Sequence, residues 1–384
     1  MKVVVYEKNF ENFFPLINLY PQFDLRIGMK TIAEHISYHF PDAQIIYMAR
    51  DLFKIRQIDP KGCTLYLSSQ SIITQKIAVP KEEVKLQIDG KVVGFVKHRP
   101  PFPKSIKDID AASRNIRGRK RISGYLLNNL WDLIKYSQKV LTYHYKIRGG
   151  RRKKLKGIYI IGNKRNLRVA QGAVIHKYVT MDVSDGPVYI DRNAVIRPFT
   201  TIVGPCYIGP GSIIDRAKIA KSSIGPMCRI GGEVESSIFQ GYSNKYHEGF
   251  IGHSFIGEWV NLGALTTNSD LKNSYGSVRL KIGRKEKDAG MMKLGCFIGD
   301  HTKTGIGTLI PTGAVIGSFV NFFGGGMMPR YVPCFKWLTV TKEEDYQLSK
   351  AIETAKVVMK RRNIRMLKQY ENLIRVNHKW RNLW

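Results

Sequence analysis

Two histidines, His247 and His253, lie six residues apart in the polar segment SNKYHEGFIGHSFIGEWVNLGALTTNSD, which spans 243–270. A histidine imidazole has an ordinary pKa near 6.5, so either ring can accept and return a proton at neutral pH. The segment also carries turn-forming asparagines, among them Asn261 and Asn268, and the carboxylate of Asp270. Such side chains can move a proton and hold a polar ligand if the fold brings them together.

The elements around this segment follow a repeat of six residues between about 158 and 335. An α-helix does not keep a period of six, and a meandering sheet would alternate strictly in blocks. One inward aliphatic residue per short strand instead predicts triangular coils of about 18 residues, stacked so that together they bury an aliphatic column. The aliphatic positions are Ile190, Ile196, Ile202, Ile208, Ile214, Ile224, Ile230, Ile256, Leu262, Ile298, Ile310 and Ile316.

The repeat is interrupted at 240–248 and again at 268–295. Regular coils leave little room for extra residues, so each interruption predicts a loop that projects from the stack. Long polar loops usually carry function. The two interruptions lie within a few coils of each other, and we therefore expect both loops to face a shared cleft.

The first 155 residues have the pattern of a mixed α/β domain. Apolar runs at 3–6 and 44–48 predict strands, and the spacing of Ile32, Ile36 and Phe40 predicts a helix over 29–40. Two dense basic runs follow, RGRKR at 117–121 and RGGRRKK at 148–154. The second run contains glycines and predicts a domain boundary. Solvated basic loops without a partner are the alternative interpretation of both runs.

The last region, 341–384, has the pattern of two short basic helices. Thr341 and Glu344 form a capping-box pattern that predicts a helix start. One apolar stripe includes Ile352 and a second includes Ile374, so the helices are expected to pack on the coils or on a neighbouring subunit. Lys360–Arg362 flank the first stripe, which leaves a membrane-surface helix as the alternative.

Composition sets further limits on function. The chain has 384 residues and a net charge of +32, which favours phosphate-bearing partners: nucleotides, nucleic acid or an anionic membrane surface. The five cysteines contain no CxxC pair, which argues against a disulfide framework and a structural zinc site and favours a reducing cytoplasm. The beginning of the chain lacks a signal-peptide pattern, and no run of apolar residues is long enough to span a membrane.

Two long stretches carry a family resemblance: GEWVNLGALTTNSDLKN and LGCFIGDHTKTGIGTLIPTGAVIG. They resemble the acetyltransferase half of the bifunctional N-acetylglucosamine-1-phosphate uridyltransferase and glucosamine-1-phosphate acetyltransferase family. They are most similar to a bacterial group of predicted sugar nucleotidyltransferases with the same plan. The resemblance covers about 160–335 and implies a left-handed parallel β-helix that forms homotrimers and binds acetyl-CoA, or another acyl-CoA, between adjacent subunits.

The resemblance also implies roles for individual residues. His247, in YHEGFIG, matches the family's acetyl-transfer base, whereas His253 does not match and is interpreted as a structural corner residue. A base is needed because an amine attacks a thioester only after losing its ammonium proton. Ser236 stands where the family has a lysine, so Lys245 would supply that charge. The other matched substrate contacts are Arg197, Asn261, Asn268, Asp270 and Lys272.

The cofactor contacts implied by the resemblance are mainly backbone contacts, since glycines let an extended ligand approach closely. They are Gly299, Asp300, Gly313, Ala314 and Gly317. Basic residues of the 283–293 loop are further candidates for the cofactor phosphates, with simple exposure as the alternative.

The amino-terminal region lacks the glycine-rich loop that cradles a triphosphate in sugar nucleotidyltransferases. The segment FPLINLYPQFDLRIGMKTI resembles another family motif but has Gln22 in place of its lysine, leaving Arg26, Gly28 and Lys30 as candidate nucleotide contacts. Asp89 and Asp108 are isolated, so no carboxylate pair for Mg²⁺ is predicted. We expect a divergent nucleotidyltransferase-like domain at 1–155, an acyltransferase-like β-helix at 158–335 and a helical tail at 341–384.

Three functions remain open from the sequence. The first is CoA-dependent acyl transfer to an amino sugar, sugar phosphate or nucleotide sugar, with His247 as base. The second is sugar-1-phosphate nucleotidyl transfer, which needs Mg²⁺, with the β-helix serving only for trimerisation. The third is a non-catalytic scaffold whose basic surface binds polyanions.

Overall fold

The computed structural model describes residues 2–53, 63–98, 103, 105–148 and 157–381. They form two compact units, one made of 1–13, 20–25 and 30–133, the other of 14–19, 26–29 and 134–384. The predicted boundary at 155 and most of the basic run at 148–154 lie outside the described residues. The helices are α1 Ile32–His39, α2 Ile106–Ser113, α3 Asp132–Arg148, α4 Leu348–Lys360 and α5 Lys368–Trp380, with short 3₁₀ turns at Phe10–Phe13, Gln22–Asp24 and Lys164–Asn166.

The first unit is an α/β domain, as the sequence predicts, and within its described residues it contains a six-stranded mixed sheet. Lys2–Tyr6 lies between two parallel neighbours, Gln44–Met48 and Cys63–Ser68. The order across the sheet is Gln44–Met48, Lys2–Tyr6, Cys63–Ser68, Lys91–His98, Val84–Ile88 and Gly118–Arg121. Ser71–Ile73 pairs antiparallel with Gly124–Leu126, and Lys30–Thr31 is a further short strand of this unit, whereas the short strand Arg26–Ile27 belongs to the second unit.

Side chains on one face of this sheet form its core. Tyr66 and Phe95 are buried and stack with ring centroids 4.6 Å apart, and Val4 and Ile46 pack beside them. Both predicted strands are confirmed. The predicted helix begins at Ile32 rather than 29, because Thr31 and Glu34 form a capping box at that point.

The second unit contains a left-handed parallel β-helix, which confirms the fold predicted from the six-residue repeat. One sheet of it comprises Leu167–Val169, Val188–Ile190, Cys206–Ile208, Ser223–Ile224, Ile238–Gly241, Phe255–Glu258, Phe297–Ile298, Val315–Ile316 and Tyr331–Val332. A second comprises Tyr159–Ile161, Val174–Ile175, Thr180–Asp182, Val195–Ile196, Thr201–Val203, Ile213–Ala220, Arg229–Glu235, Asn244–Lys245, Phe250–Gly252, Asn261–Leu262, Lys303–Thr304, Asn321–Phe322, Lys336–Leu338 and Glu343–Asp345. A third comprises Thr267–Asn268, Thr308–Ile310 and Gly326–Met327.

The strand register explains why isoleucine repeats in the sequence. Parallel pairing places each inward aliphatic residue directly against its counterpart in the next coil, and these side chains are almost wholly buried. In the first sheet the stacked positions are Val169, Ile190, Ile208, Ile224, Phe239, Ile256, Ile298, Ile316 and Val332.

The predicted loop at 240–248 is wrong. Ile238–Gly241 and Asn244–Lys245 are ordinary coil strands, and Arg229 pairs in register with Asn244. The six-residue repeat is hidden in the sequence here because Lys245 replaces the inward aliphatic residue. The backbone nevertheless continues the coil. The predicted loop at 268–295 does leave the coil stack, and it contains an antiparallel hairpin of Arg279–Ile282 and Lys285–Asp288.

The predicted helix start at Thr341 is also wrong. Glu343–Asp345 is a strand that pairs antiparallel with Lys336–Leu338, so Glu344 lies opposite Trp337. Lys336 bridges both Glu343 and Asp345 at 3.0 Å. Glu344 of the predicted capping box therefore lies in a strand. Helix α4 begins at Leu348 without a side-chain cap.

Helix α5 packs against one edge of the coil stack. This edge carries a column of stacked rings in which His301 lies 6.2 Å from Trp259 and 4.7 Å from Phe319. Nε2 of His301 lies 2.9 Å from the Tyr370 hydroxyl of α5, and the ring of His378 contacts Phe335. The predicted packing of the tail on the coils is therefore observed for α5.

Candidate functional site

Lys245 occupies a core position of the β-helix. The inward column of its sheet runs Ile196, Ile214, Ile230 and then Lys245, whose side chain is almost completely buried. Its ammonium donates hydrogen bonds to the backbone oxygens of Gly231 and His247, both at 2.9 Å. Burial lowers the pKa of Lys245 to about 8, although Glu248 and Glu233 oppose the shift. The inward orientation of the Lys245 side chain was not predicted from the sequence.

His247 lies on the exposed turn that follows Lys245. Its ring is exposed and touches the ring of Tyr246 with centroids 5.9 Å apart. Its backbone oxygen is fixed by the buried ammonium of Lys245. The turn that presents this imidazole to solvent is therefore anchored from inside the β-helix, which limits the positions the ring can take.

Arg197 reaches the same corner from three coils away. One terminal nitrogen, Nη1, donates to the Asp215 carboxylate at 3.0 Å and to the Tyr246 hydroxyl at 2.7 Å. The structure thus places Arg197 against Tyr246, the residue before His247. The salt bridge is partly exposed, so the guanidinium keeps donors available for a ligand.

An open groove of about 540 Å³ runs beside the His247 turn. Glu248 and Gly249 form one wall, immediately after His247, and Phe250 lies next to them. Arg216 and Lys218 contribute positive charge to the groove, and sequence reasoning missed both. Arg216 lies at a coil corner, where its backbone φ is 45°. A long polar residue at a corner of the repeat is the sequence signal that could have identified it.

Asn268 is a second polar residue in the core of the β-helix. It pairs in register with the buried Ile310. Its side-chain oxygen accepts from the Gly252 backbone N–H at 2.7 Å, and its amide nitrogen donates to the Gly252 and Ser269 oxygens. Its hydrogen-bonding capacity is directed to the backbone where the long loop leaves the coils.

Asp270 forms a close pair with His253. Nδ1 of His253 lies 2.7 Å from the Asp270 carboxylate, and both side chains are largely buried. Burial alone would raise the pKa of Asp270, but the hydrogen bond and charge of His253, together with Lys293, lower it below the ordinary value. The structure places His253 at a coil corner with a positive φ of 48°.

Two other predicted substrate residues lie near the coil surface. Asn261 is exposed and accepts a hydrogen bond from Asn244 at 3.2 Å, one coil away. Lys272 lies in the long loop and donates to the backbone oxygen of Ser277. Asn261 therefore shares the face that carries Asn244, whereas Lys272 makes its recorded contact within its own loop.

The predicted cofactor positions are covered by other parts of this unit. Asp300 is buried and accepts from the Glu258 N–H at 2.7 Å. Near Gly317, Asn18 donates to Ser318 and Cys334, so the segment 14–19 lies on the coils, and the cavity left there is only about 20 Å³. A Cβ on Gly313 would lie 2.7 Å from Val278, and Gly299 and Ala314 lie in tightly stacked strand turns.

A different edge of the β-helix is open. Space for a Cβ is free at Gly307 and at Gly324, with no atom within 4 Å. Apolar side chains beside them are exposed, including Leu265 at 56% and Ile306 at 71%. This edge combines accessible backbone with apolar surface, the combination that an extended thioester chain requires.

The candidate nucleotide contacts are engaged within the protein. Arg26 is buried, and its Nε and backbone N–H bond to Gln240 at 3.2 and 2.9 Å. Gly28 has a positive φ of 61° and lies against Leu141 of α3, where a Cβ would be only 2.8 Å away. Lys30 lies over the Tyr38 ring at 5.6 Å. In the described part of the chain no group of three His, Cys, Asp or Glu side chains is placed to hold a metal ion.

Sequence comparison gives relatives over part of the chain. A bifunctional sugar-1-phosphate nucleotidylyltransferase/acetyltransferase of Sulfurisphaera tokodaii is 34% identical over 159 residues, covering 38% of each protein. The bifunctional protein GlmU of Thermotoga petrophila is 28% identical over 208 residues, which is 47% of this chain and 43% of that protein. This chain resembles these bifunctional proteins. The predicted resemblance is confirmed, and the chain spans less than half the length of these relatives.

Comparison of structures returns proteins with low overall superposition. An Arabidopsis UDP-N-acetylglucosamine acyltransferase matches 55% of this chain and 77% of its own, with 12% identity and a TM-score of 0.26. The polySia-specific acetyltransferase NeuO matches 50% of this chain and 86% of its own, with 14% identity and a TM-score of 0.26. No family model matches the chain. None of the described helices combines the length and apolarity needed to cross a bilayer.

Proposed function

We propose that this protein transfers an acyl group from acyl-CoA to the amino group of a sugar, sugar phosphate or nucleotide sugar. The observation that carries the proposal is the exposed His247, whose turn is anchored by the buried Lys245 and whose next two residues, Glu248 and Gly249, line a groove of about 540 Å³. The name of the Sulfurisphaera tokodaii relative, which includes an acetyltransferase, supports the same reaction class. His247 would take the ammonium proton of the acceptor, which frees the amine to attack.

The groove beside His247 suits a polar, phosphorylated acceptor. Arg216 and Lys218 line it and can hold a phosphate, while Glu233 and Glu248 can accept hydrogen bonds from sugar hydroxyls. Phe250 offers a flat apolar surface for a sugar ring. Arg197, Asn261, Asp270 and Lys272 remain proposed substrate contacts, whereas Asn268 and Lys245 are better explained as residues that shape the site.

The open edge around Gly307 and Gly324 fits an extended acyl-CoA better than the covered positions around Gly317. Bound acyl-CoA supplies the thioester carbonyl that an amine attacks. Gly307 and Gly324 would allow the cofactor chain to lie against the backbone, and Ile306 would contact its apolar part. The chain's own residues thereby position the acceptor amine and remove its proton.

A homotrimer is part of the proposal. Exposed apolar side chains lie on the β-helix, with Tyr178 at 70% and Phe199 at 73% exposure, and their rings stack 5.7 Å apart. Covering such side chains with a second copy would stabilise the protein.

The five cysteines are unpaired in the described part of the chain, which supports the reducing cytoplasm as the location of the protein.

The test is thiol release from acetyl-CoA in the presence of a panel of amino sugars and their phosphates. His247→Ala should lower the rate at least about a hundredfold, because a general base contributes roughly 10²–10⁴-fold. His176, an exposed histidine elsewhere on the β-helix, gives the matched control His176→Ala, which should keep the wild-type rate. Equal rates for wild type and His247→Ala would exclude the proposed base.

Nucleotidyl transfer is the second candidate, favoured by the name of the Sulfurisphaera tokodaii relative. It would require Mg²⁺ and would be seen as pyrophosphate release from a nucleoside triphosphate and a sugar 1-phosphate. His247→Ala should leave that release unchanged, which separates the two reactions. If neither assay responds and RNA or anionic vesicles bind with steep salt dependence, the +32 charge points to the polyanion scaffold.

A further inference from the structure

Three arginines from distant parts of the sequence meet on one face of the β-helix. Arg362 follows α4, and its Nη2 donates to the side-chain oxygen of Asn244 at 2.7 Å. Arg229 is the register partner of Asn244 in the preceding coil. Arg197 donates to the hydroxyl of Tyr246, two residues beyond Asn244. The strand Asn244–Lys245 and its flanking turn thus connect all three guanidinium groups.

The positive charge of this arginine cluster, Arg197, Arg229 and Arg362, is only partly balanced. Asp215 pairs with Arg197 at 3.0 Å. Across the residues that the structure describes, neither Arg229 nor Arg362 forms an ion pair with a carboxylate. Nε of Arg362 is buried and has no hydrogen-bond partner. A buried N–H donor without an acceptor is costly, and it marks a place where an acceptor is missing.

Neighbouring positive charge disfavours the ionised form of two members of the cluster. Burial lowers the pKa of Arg229, and the charges of Arg362 and Arg197 lower it further, against the opposing influence of Cys228 and Tyr246. Burial and the neighbouring Arg361 likewise lower the pKa of Arg362. Nη1 of Arg229 donates to the backbone oxygens of Gly211, Met227 and Cys228, which fixes the orientation of this guanidinium. A bound anion would relieve the repulsion and accept from Nε of Arg362.

We propose that Arg229 and Arg362, with Arg197 at the border, form a binding site for a phosphate group. Guanidinium groups match phosphate because their forked N–H donors bind two oxygens at once. Asn244 holds the Arg362 fork in place through its side-chain oxygen. The phosphate would connect the segment after α4 to the coils. The site does not depend on the proposed acyl transfer, and free phosphate and a phosphate ester are alternative sources of the same group.

The experiment measures binding of inorganic phosphate and of glucose 1-phosphate by calorimetry and by the unfolding temperature, at constant ionic strength set with sodium chloride. Wild-type protein should bind both and unfold at a higher temperature with either. Arg229→Met and Arg362→Met should each weaken binding at least about tenfold, the loss expected for a charge-assisted hydrogen bond. Tighter binding of glucose 1-phosphate than of phosphate would identify an ester as the ligand; equal binding would identify phosphate itself.

Arg165→Met is the matched control, because Arg165 lies exposed in the short turn Lys164–Asn166 of the same unit and its loss changes the net charge equally. It should keep wild-type affinity. Arg229→Lys and Arg362→Lys keep the charge without the fork and should bind with intermediate affinity, which provides a readout if a methionine variant does not fold. Chloride that stabilises as strongly as phosphate, or methionine variants with wild-type affinity, would overturn the site. Acyl-transfer rates are not part of this test, so the two proposals fail independently.

Discussion

The α/β domain and the β-helix each bury a charged side chain, but they satisfy it differently. Glu7, at the end of the first strand, accepts from the N–H groups of Gln22 and Arg50, both at 2.7 Å, and pairs with the Arg50 guanidinium at 2.5 Å. In the described part of the chain, the hydrogen-bond acceptors of the Lys245 ammonium in the β-helix are backbone oxygens, and one of them belongs to His247. The Glu7 carboxylate, paired with a guanidinium, stabilises the α/β domain. The Lys245 ammonium, bound to the turn of His247 beside the groove, can instead position a functional site.

Glu7 also bears on the nucleotidyltransferase interpretation. Its carboxylate takes the backbone N–H groups that lie beyond the first strand, which is where the sequence lacks a glycine-rich phosphate loop. The Glu7 carboxylate therefore binds backbone N–H groups at the end of the first strand, where a phosphate-binding loop would bind a phosphate. This supports the expectation of a divergent domain, while the open groove beside the His247 turn of the β-helix supports the proposed acyl transfer.

The largest predicted effect is on Glu7. Glu7→Ala leaves the Arg50 guanidinium buried without its carboxylate, and breaking a buried pair costs about 3–5 kcal/mol. We expect the α/β domain to unfold at a lower temperature while the β-helix transition stays in place, measured by calorimetry and limited proteolysis. Glu82→Ala, at an exposed position of the same domain, should leave both transitions unchanged. A shift of the β-helix transition alone would contradict the assignment.

The sequence predicted the β-helix well because one residue type decides each position. A stacked inward column tolerates few alternatives to isoleucine or valine, so the period is readable in the chain. The same rule led to the wrong prediction of a loop at 240–248, because Lys245 occupies a core position there and the coil continues. The contacts of Arg362 and Asn18 could not be predicted, because they join residues more than a hundred positions apart.

The second prediction concerns the pH dependence that Lys245 imparts. Its pKa is about 8 when folded and near its ordinary 10.5 when unfolded, so the native state loses the proton first as the pH rises. Below pH 8 the full cost of burying the charge is present, and between pH 8 and 10.5 it is relieved. The free energy of unfolding of wild type should therefore rise relative to Lys245→Met, by up to about 3 kcal/mol across that range.

Urea unfolding of wild type and Lys245→Met at several pH values measures this difference directly. The difference matters rather than the wild-type curve, because buried cysteines and tyrosines such as Cys296 oppose the trend at high pH. Lys177→Met, at an exposed position of the β-helix, should show no such pH dependence relative to wild type. A constant gap between wild type and Lys245→Met would mean that the ammonium is not held in the core.

The third prediction tests a carboxylate of the α/β domain that is not fully compensated. Burial raises the pKa of Asp24 to about 6, and the charges of Glu7 and Glu34 add to the shift. The native state then holds more protons than the unfolded chain between pH 4 and 6, so stability falls as the pH rises through that window. Asp24→Asn should be more stable than wild type at pH 7, by about 1–3 kcal/mol, and similar at pH 4. Equal stability of the two proteins at pH 7 would exclude the raised pKa.

The smallest predicted effect tests how local the β-helix is. Ile230→Val removes one methylene from the inward column next to Lys245 and should cost about 1 kcal/mol. Each coil contacts only its neighbours, so the loss should lower the β-helix transition and leave the α/β transition unchanged. Ile298→Val, several coils away in the stack, should cost about the same and add to it in the double variant. A non-additive pair would show that the two inward columns respond as one body, and a phosphate-dependent shift of only the Ile230→Val protein would connect that coil to the arginine cluster.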